Sequence, residues 1–386
     1  MIDQQTVLAL IRAALSGSPG TIPEDFQIDE YFAFARAQQL EAILITGLHK
    51  SGFAISKELR NVMLRANLIC SRQNSAAQQL YAAFEKNKID YMPLKGSVIR
   101  PLYPSEELRS MADIDILIRT EQYEQIHALM LEEGYAQGVE SDHEYVWDKD
   151  GIHVELHKRL IPSYNKDYYA YFGEGWQLAK KSGTPYEYEM APEDTFIYLF
   201  THYAKHYRDS GVGIRQVLDL YVFRKAYPEM NEGYIREKMA LLQLEKFYVN
   251  TMHLLTVWFG NAEHTESSQL ISDRLFDCGV FGSHENSVYS TMIKQANTQG
   301  SVKKAKVMGL LRKIFPSFEK MAKLYPVLRR FPPLLPLTWV LRWGDFLLHR
   351  QNQIRNYARE DTFLSEEGVT AYREMLRKSG LDFNFK

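Results

Sequence analysis

Apolar residues recur at helical spacing over most of the chain and switch to strand alternation only between residues 89 and 158. At the start, Val7, Leu8, Leu10, Ile11 and Leu15 form one side of a helix over residues 4–15, which Gly17-Ser18-Pro19-Gly20 ends. A second helix is predicted over 28–50, stopping near Lys50-Ser51-Gly52. A longer one covers 56–88, with Ser56 as N-cap and Leu59, Met63, Leu64, Ile69, Leu80 and Phe84 on its buried side. Together these read as a helical platform.

Ile89-Asp90-Tyr91-Met92-Pro93-Leu94 then reads as a strand running into the turn Lys95-Gly96-Ser97, with a short helix over 98–102. Residues 113–118, Asp113-Ile114-Asp115-Ile116-Leu117-Ile118, alternate as a strand. That puts Asp113 and Asp115 on one face and Ile114 and Ile116 on the other. A helix over 121–133 turns Tyr123, Ile126, Leu129 and Met130 inward and stops at Gly134. Residues 143–148 and 152–158 alternate about Asp150-Gly151, a hairpin signal. On the second of these strands His153, Glu155 and His157 share a face opposite Ile152, Val154 and Leu156.

Beyond the hairpin the chain is aromatic and helical. Phe196, Leu199, Phe200, Tyr203 and Tyr207 stripe a helix over 192–208. Ser210-Gly211-Val212-Gly213 reads as a flexible turn, followed by helices over 214–226 and 234–258. Polar, Gly/Ser/Asn-rich stretches between 260 and 300 read as exposed loops. Lys303, Lys304, Lys306, Arg312 and Lys313 form a basic run: a solvated helix face, or a contact for an acceptor or a membrane surface. Residues 315–339 are apolar and punctuated by proline, and are expected to pack back on the helical body; 362–386 form one helix with a frayed end. The expected fold is α+β. A small mixed-sheet core (89–160) is embedded between a helical N-terminal region (1–88), a helical domain (161–300) and a C-terminal helical appendage (301–386).

Composition narrows the class. The 386 residues are 45% hydrophobic and 24% charged, ordinary for a globular protein of two or three domains. The net charge of −2 argues against a long nucleic acid as partner. Cys70 and Cys278, far apart and outside any CxxC, make no disulfide framework and fit a reducing cytoplasm. Met1-Ile2-Asp3-Gln4-Gln5 has neither the basic nor the apolar part of a signal peptide. The apolar stretch 331–349 is broken by Pro332, Pro333, Pro336, Arg342 and Asp345, so no membrane span is expected.

The chemistry centres on the aspartate strand. Carboxylates two residues apart lie about 7 Å from each other on one strand face and repel unless a cation sits between them. Oxygen donors so placed suit a pair of magnesium ions, with manganese as the alternative. Glu155 offers a third carboxylate, and His157 is its rival as a base. His202 and His206 are four apart on one helix face, but there is no HExxH and no third ligand nearby, so contact with a phosphate or carboxylate is expected over zinc. Arg215 and Asp219, also four apart, either pair with each other or leave Arg215 to face a triphosphate.

The order of strand, Gly-Ser turn, helix, Asp-x-Asp strand, helix and strand with a third acid resembles the nucleotidyltransferase superfamily with the polymerase-beta-like fold. Leu94-Lys95-Gly96, Tyr103-Pro104, Arg109, Asp113-Ile114-Asp115-Ile116-Leu117 and Glu155-Leu156-His157 are similar to the broad bacterial group of uncharacterised nucleotidyltransferases with a Leu-Lys-Gly turn. The likeness extends to His202, His206, Arg215 and Asp219. The resemblance implies transfer of a nucleoside monophosphate from a nucleoside triphosphate, ATP among them, to an acceptor hydroxyl with release of pyrophosphate. Asp113, Asp115 and Glu155 are then catalytic and hold two Mg2+ ions, while Lys95, Gly96, Ser97, Arg109 and Arg215 hold the nucleotide. The acceptor, a small molecule, a protein or an RNA end, is not named by the sequence. Two other readings stand beside this one. A metal-dependent glycosyltransferase would consume a nucleotide-sugar, and a non-catalytic nucleotide- or partner-binding module would release no pyrophosphate.

Overall fold

Asp3 opens the first helix, α1 (Gln4–Ser16), by accepting from the Gln5 and Thr6 amides, and Gly17 closes it with a left-handed φ of 84°. The computed structural model that places these atoms describes residues 2–280, 282–299, 304, 308, 311–312, 314–349 and 365–383. The single helix expected over 28–50 is two, α2 (Ile28–Gln38) and α3 (Glu41–Lys50). Gln39 breaks it by taking a left-handed φ of 54°. In α4 (Lys57–Lys86) Ser56 caps as expected, accepting from the Leu59 amide at 3.3 Å. The buried stripe differs from the expected one. Leu64 and Ile69 are exposed, whereas Cys70, Gln73, Ala77, Leu80 and Phe84 are buried. The stripe carries Gln73 because it faces a polar loop. Gln73 and Asn74 accept from the buried Arg100 guanidinium at 2.7 and 3.1 Å, and Gln73 donates to the Met111 carbonyl at 3.0 Å.

The sheet has five strands: β1 (Tyr91–Pro93), β2 (Ile114–Ile118), β3 (Ala136–Glu140), β4 (Glu144–Lys149) and β5 (Ile152–His157), in the order β1-β2-β5-β4-β3. β2 and β5 run parallel, and the other neighbours are antiparallel. Asp150 and Gly151 turn the β4–β5 hairpin with φ of 51° and 76°, the positive pair that a tight two-residue turn needs. β3 is an exposed edge strand, and Ala136-Gln137-Gly138-Val139-Glu140 lacks the apolar alternation that would have revealed it. Alternation in β2 holds, yet all five of its residues are buried, because both faces of the sheet are covered. The short helix after β1 is α5 (Gly96–Ile99). Ile114, Ile116 and Ile118 pack with α4 and with α6 (Tyr123–Glu132) through Leu80, Phe84, Ile126 and Met130. Leu117, on the other face, joins the larger helical core.

That core gathers α1 to α3 with α7 (Lys166–Phe172), α8 (Pro192–Asp209), α9 (Arg215–Ala226), α10 (Glu232–Leu241), α11 (Glu245–Phe259), α12 (Glu266–Asp277) and α13 (His284–Gln299). A small hairpin, β6 (Ala179–Lys181) and β7 (Tyr188–Met190), precedes α8. Three expectations change here. The helix over 234–258 is split at Gln243, whose φ is 58°. The loops expected over 260–300 are largely α12 and α13; the polar cluster Thr265 to Ser268 is a capping box that starts α12. The turn after α8 is not an open one, because Gly211, Val212, Gly213 and Ile214 are buried. Gln38 fills the space beside it, accepting from the Ile214 amide at 2.9 Å and donating to the Leu275 and Cys278 carbonyls at 3.0 and 2.7 Å. A Cβ at Gly213 would overlap the Gln38 amide oxygen.

Further on lie α14 (Phe318–Leu324), α15 (Leu335–His349) and α16 (Glu366–Ser379). Met321, Ala322 and Leu328 form a small cluster with Tyr325, Leu335 and Trp339, so this stretch has a core of its own. Lys303, Lys306 and Lys313 of the basic run lie outside the described residues. α16 returns to the main core through Val369, Tyr372 and Leu376. Among the described residues no helix is long and apolar enough to cross a membrane.

Candidate active site

Strand register brings the acids together. Asp115 lies beside Glu155 and Leu117 beside His157 across the parallel β2–β5 pair, and His157 lies beside Glu144 across β5–β4. Registered neighbours project to the same side of a sheet, so Asp115, Glu155, His157 and Glu144 share one face. Asp113 precedes β2 by one residue and belongs to that face by alternation. The β1 end returns the Lys95 turn to the same place, with the Leu94 amide bonded to the Asp115 carbonyl at 3.0 Å. Lys95 takes a φ of 43°, a strained position for a residue with a side chain.

One oxygen of Asp115 then carries two nitrogen partners. Lys95 Nζ lies 2.6 Å from Asp115 Oδ1, and His157 Nε2 lies 2.7 Å from the same atom. Glu155 Oε2 is 3.4 Å from that nitrogen. Burial alone would raise the Asp115 carboxyl, but Lys95 and His157 hold it well below its ordinary value. Burial would likewise lower Lys95, and the Asp115 charge outweighs it, holding the ammonium well above its usual range. His157 is raised as well: burial and Lys95 oppose its charge, and its bonds to Asp115 and Glu155 win. Asp113 has no such partner. Burial and the Asp115 charge push it up to about 6. The two histidines that share the Glu155 face differ in burial. His157 is buried, whereas His153 is exposed and pairs with Asp148.

The cationic residues divide. Arg109 is buried and spends its guanidinium on Asp219, with Nη2 to Oδ2 at 2.9 Å and Nε to Oδ1 at 3.3 Å. The Tyr103 hydroxyl donates to the same Asp219 Oδ1 at 2.8 Å. Asp219 therefore pairs with Arg109 and not with Arg215, four residues before it. Arg215 Nη1 donates to the Gln39 side chain and to the Ser110 carbonyl. Burial and the neighbouring Arg109 lower Arg215 to about 10. A Cβ at Gly96 would come within 2.8 Å of Arg109 Nη1 and of the Met111 side chain, so this glycine is needed for close packing of that loop.

Lys95, Gly96, Arg109, Asp113, Asp115, Glu155 and Arg215 all line one cavity of about 470 Å³; Ser97 does not reach its wall. α8 forms the opposite wall through His202, Lys205 and His206. His202 and His206 touch through their Nε2 atoms at 3.1 Å. Burial and each other's company keep His202 well below its ordinary pKa, and burial and Lys205 bring His206 down to about 3. Burial lowers Lys205 to about 8. Sequence reasoning missed Lys205, although the spacing His202, Lys205, His206 already places it on the histidine face. It also missed His143 and Glu144, which pair at 2.8 Å in the same cavity. Glu144 was legible only through its register with His157. The ligand atoms of Asp115, Glu155 and His157 lie within 4.8 Å of one another, as do those of His143, Glu144 and His157. Asp115 and Glu155 thus offer two carboxylates beside an imidazole to a divalent cation, whereas Asp113 lines the same cavity but belongs to neither group.

A family model described as an uncharacterised nucleotidyltransferase matches residues 24–260, which contain the whole sheet, α8 and α9. No curated protein matches the chain. Among solved structures, the chain is similar to the antibiotic-resistance factor ANT(2'')-Ia, known from a solution structure. The two are 12% identical, the match covers 48% of this chain and 98% of that one, and the TM-score is 0.35.

Proposed function

The chain belongs to the uncharacterised nucleotidyltransferase family, and from that premise we propose that it moves a nucleoside monophosphate from a nucleoside triphosphate to an acceptor hydroxyl through Asp113, Asp115 and Glu155. The observation that carries this reading is the parallel register that sets Asp115 beside Glu155, with Lys95 bound to Asp115 at the wall of a cavity. Asp113, Asp115 and Glu155 would hold Mg2+ or Mn2+, which when bound neutralises triphosphate charge and lowers the pKa of the acceptor hydroxyl.

The chain's own groups take the remaining roles. Lys95 is a fixed positive charge within reach of a phosphate oxygen once it leaves Asp115. Lys205 and Arg215 line the same cavity and add charge for the departing pyrophosphate. Gly96 and Ser97 shape the turn under the phosphates. Arg109 acts from behind by fixing Asp219 and the Gly96 loop, as a positioning residue. His157 orients the Asp115 carboxylate. Glu155 takes the proton of the acceptor hydroxyl; that oxygen attacks the α-phosphorus, the bond to the β-phosphate oxygen breaks, and pyrophosphate leaves. The net charge of −2 gives no reason to choose a long nucleic acid as acceptor, and a small molecule, a protein hydroxyl or an RNA end fits the chemistry.

The test offers each of the four α-labelled nucleoside triphosphates to the full chain with Mg2+ or Mn2+ and a cell extract. Label transfer and pyrophosphate release are expected together, and both are lost in Asp115→Asn. Nucleotide binding without pyrophosphate release would replace this reading with a binding module. Consumption of a nucleotide-sugar in place of a triphosphate would replace it with a glycosyltransferase.

A further inference from the structure

Twelve of the 21 exposed large apolar side chains among the described residues fall between residues 308 and 341. The arrangement is most ordered on α15. From its start to Leu341, the exposed positions are Pro336, Leu337, Val340 and Leu341, one stripe at helical spacing without a polar residue. Leu337, Val340 and Leu341 are 56, 56 and 55% exposed, whereas Thr338 is buried. The helix thus turns a hydroxyl inward and its aliphatic groups out. Leu324, Val327 and Phe331, just before it, are 58, 48 and 52% exposed. An apolar surface this extensive marks an interaction site.

The charges around the stripe say what kind of partner it meets. Lys320, Lys323, Arg329 and Arg330 are exposed in the segment that leads into it, against Glu319 as the one exposed acid among the described residues from 314 to 341. The chain as a whole carries −2, so this basic frame runs against the general balance. Aliphatic and aromatic side chains framed by lysine and arginine are what an interfacial helix presents to anionic lipid. No described helix is able to span a bilayer, so the helix would lie on its surface. A second copy of the chain fits worse, since a two-fold contact through this stripe would set the same basic residues against one another.

We propose that this face of α14 and α15 docks on an anionic lipid bilayer. Leu337, Val340 and Leu341 enter the headgroup–acyl boundary, and Lys320, Lys323, Arg329 and Arg330 meet the lipid phosphates. The test sediments the full chain with vesicles of phosphatidylcholine alone and of phosphatidylcholine containing phosphatidylserine. Binding is expected on the anionic vesicles, weakening as salt rises. The double variants Leu337→Glu/Leu341→Glu and Arg329→Glu/Arg330→Glu should each weaken it about tenfold or more. The substituted side chains are exposed, so far-UV circular dichroism and the unfolding midpoint should stay at wild-type values. Absence of binding to anionic vesicles, or binding undiminished in the leucine variant, overturns the proposal. So does a dimer that the leucine variant abolishes while wild type ignores lipid, which would hand this face to a second copy. None of these readouts involves nucleotide, so the result stands apart from that of the transfer assay.

Discussion

Asp113 and Asp115 look alike in the sequence and behave oppositely in the folded chain. Asp115 satisfies Lys95 and His157 through one oxygen, so Asp115→Asn leaves the largely buried Lys95 ammonium without its counter-charge and the buried His157 without its carboxylate partner. Breaking such a pair costs roughly 3–5 kcal/mol, and a fall in unfolding midpoint by urea titration is the expected outcome, alongside lost transfer. Asp113→Asn should also abolish transfer, but without loss of stability. Its carboxyl is raised to about 6 from 3.8 by burial and by Asp115. The folded chain therefore holds this proton more tightly than the unfolded one. Below pH 4 both states are protonated and the group contributes nothing. From pH 4 to 6 stability falls by on the order of 1 kcal/mol per pH unit, and the full penalty remains above 6. Removing the carboxyl removes that slope. Adding Mg2+ at pH 7 should offset the same penalty, raising the midpoint of wild type and leaving Asp113→Asn unmoved. A wild-type midpoint indifferent to Mg2+ would argue against the carboxylate cation site. Glu155→Gln should cut turnover by orders of magnitude while nucleotide still binds, since Lys95, Lys205 and Arg215 remain. If turnover survives in Glu155→Gln and dies in His157→Gln, the base is His157.

At the scale of elements, the sequence showed the sheet better than what surrounds it. The hairpin at Asp150-Gly151 and the alternation of β2 and β5 are local patterns, and they hold. β3 has no apolar alternation to reveal it, because an exposed edge strand buries nothing. The cluster Thr265 to Ser268 has the composition of a loop because cap residues and loop residues are the same types; only the helix that follows tells them apart. The stripe on α4 was misplaced for the opposite reason: its buried Gln73 answers Arg100, a partner 27 positions away. In the site, the acids stood out through spacing, whereas the partners of Arg109 and His157 are set by tertiary contact. Gln38 shows how much such a contact holds. It joins the C-terminal turn of α2 to the start of α9 and the end of α12. Gln38→Leu would leave one amide and two carbonyls buried without partners, at about 1–3 kcal/mol each. Arg215 begins α9, so nucleotide affinity should weaken in this variant as well, read by titration at a temperature where the chain is still folded.

Across the whole molecule, the cavity lies where the sheet face meets α8 and α9, and the buried pair Arg109–Asp219 joins these two parts. The sequence suggested that Arg109 holds triphosphate; in the folded chain its guanidinium is engaged by Asp219, 110 residues on. Substitution separates the two roles. Arg109→Met alone buries an unpaired Asp219 carboxylate, and Asp219→Leu alone buries an unpaired guanidinium; each should cost roughly 3–5 kcal/mol. The double variant Arg109→Met/Asp219→Leu removes both charges and leaves only the Tyr103 hydroxyl without its acceptor, a cost of about 1–3 kcal/mol. Its urea midpoint should therefore lie above that of either single variant. If Arg109 acts only by holding α9 against the Gly96 loop, nucleotide affinity recovers together with stability in the double variant. If stability recovers while the nucleotide dissociation constant stays raised, the guanidinium reaches phosphate in the bound state and Asp219 is a partner it exchanges. Measuring both quantities on the same three variants decides between a positioning residue and a substrate contact.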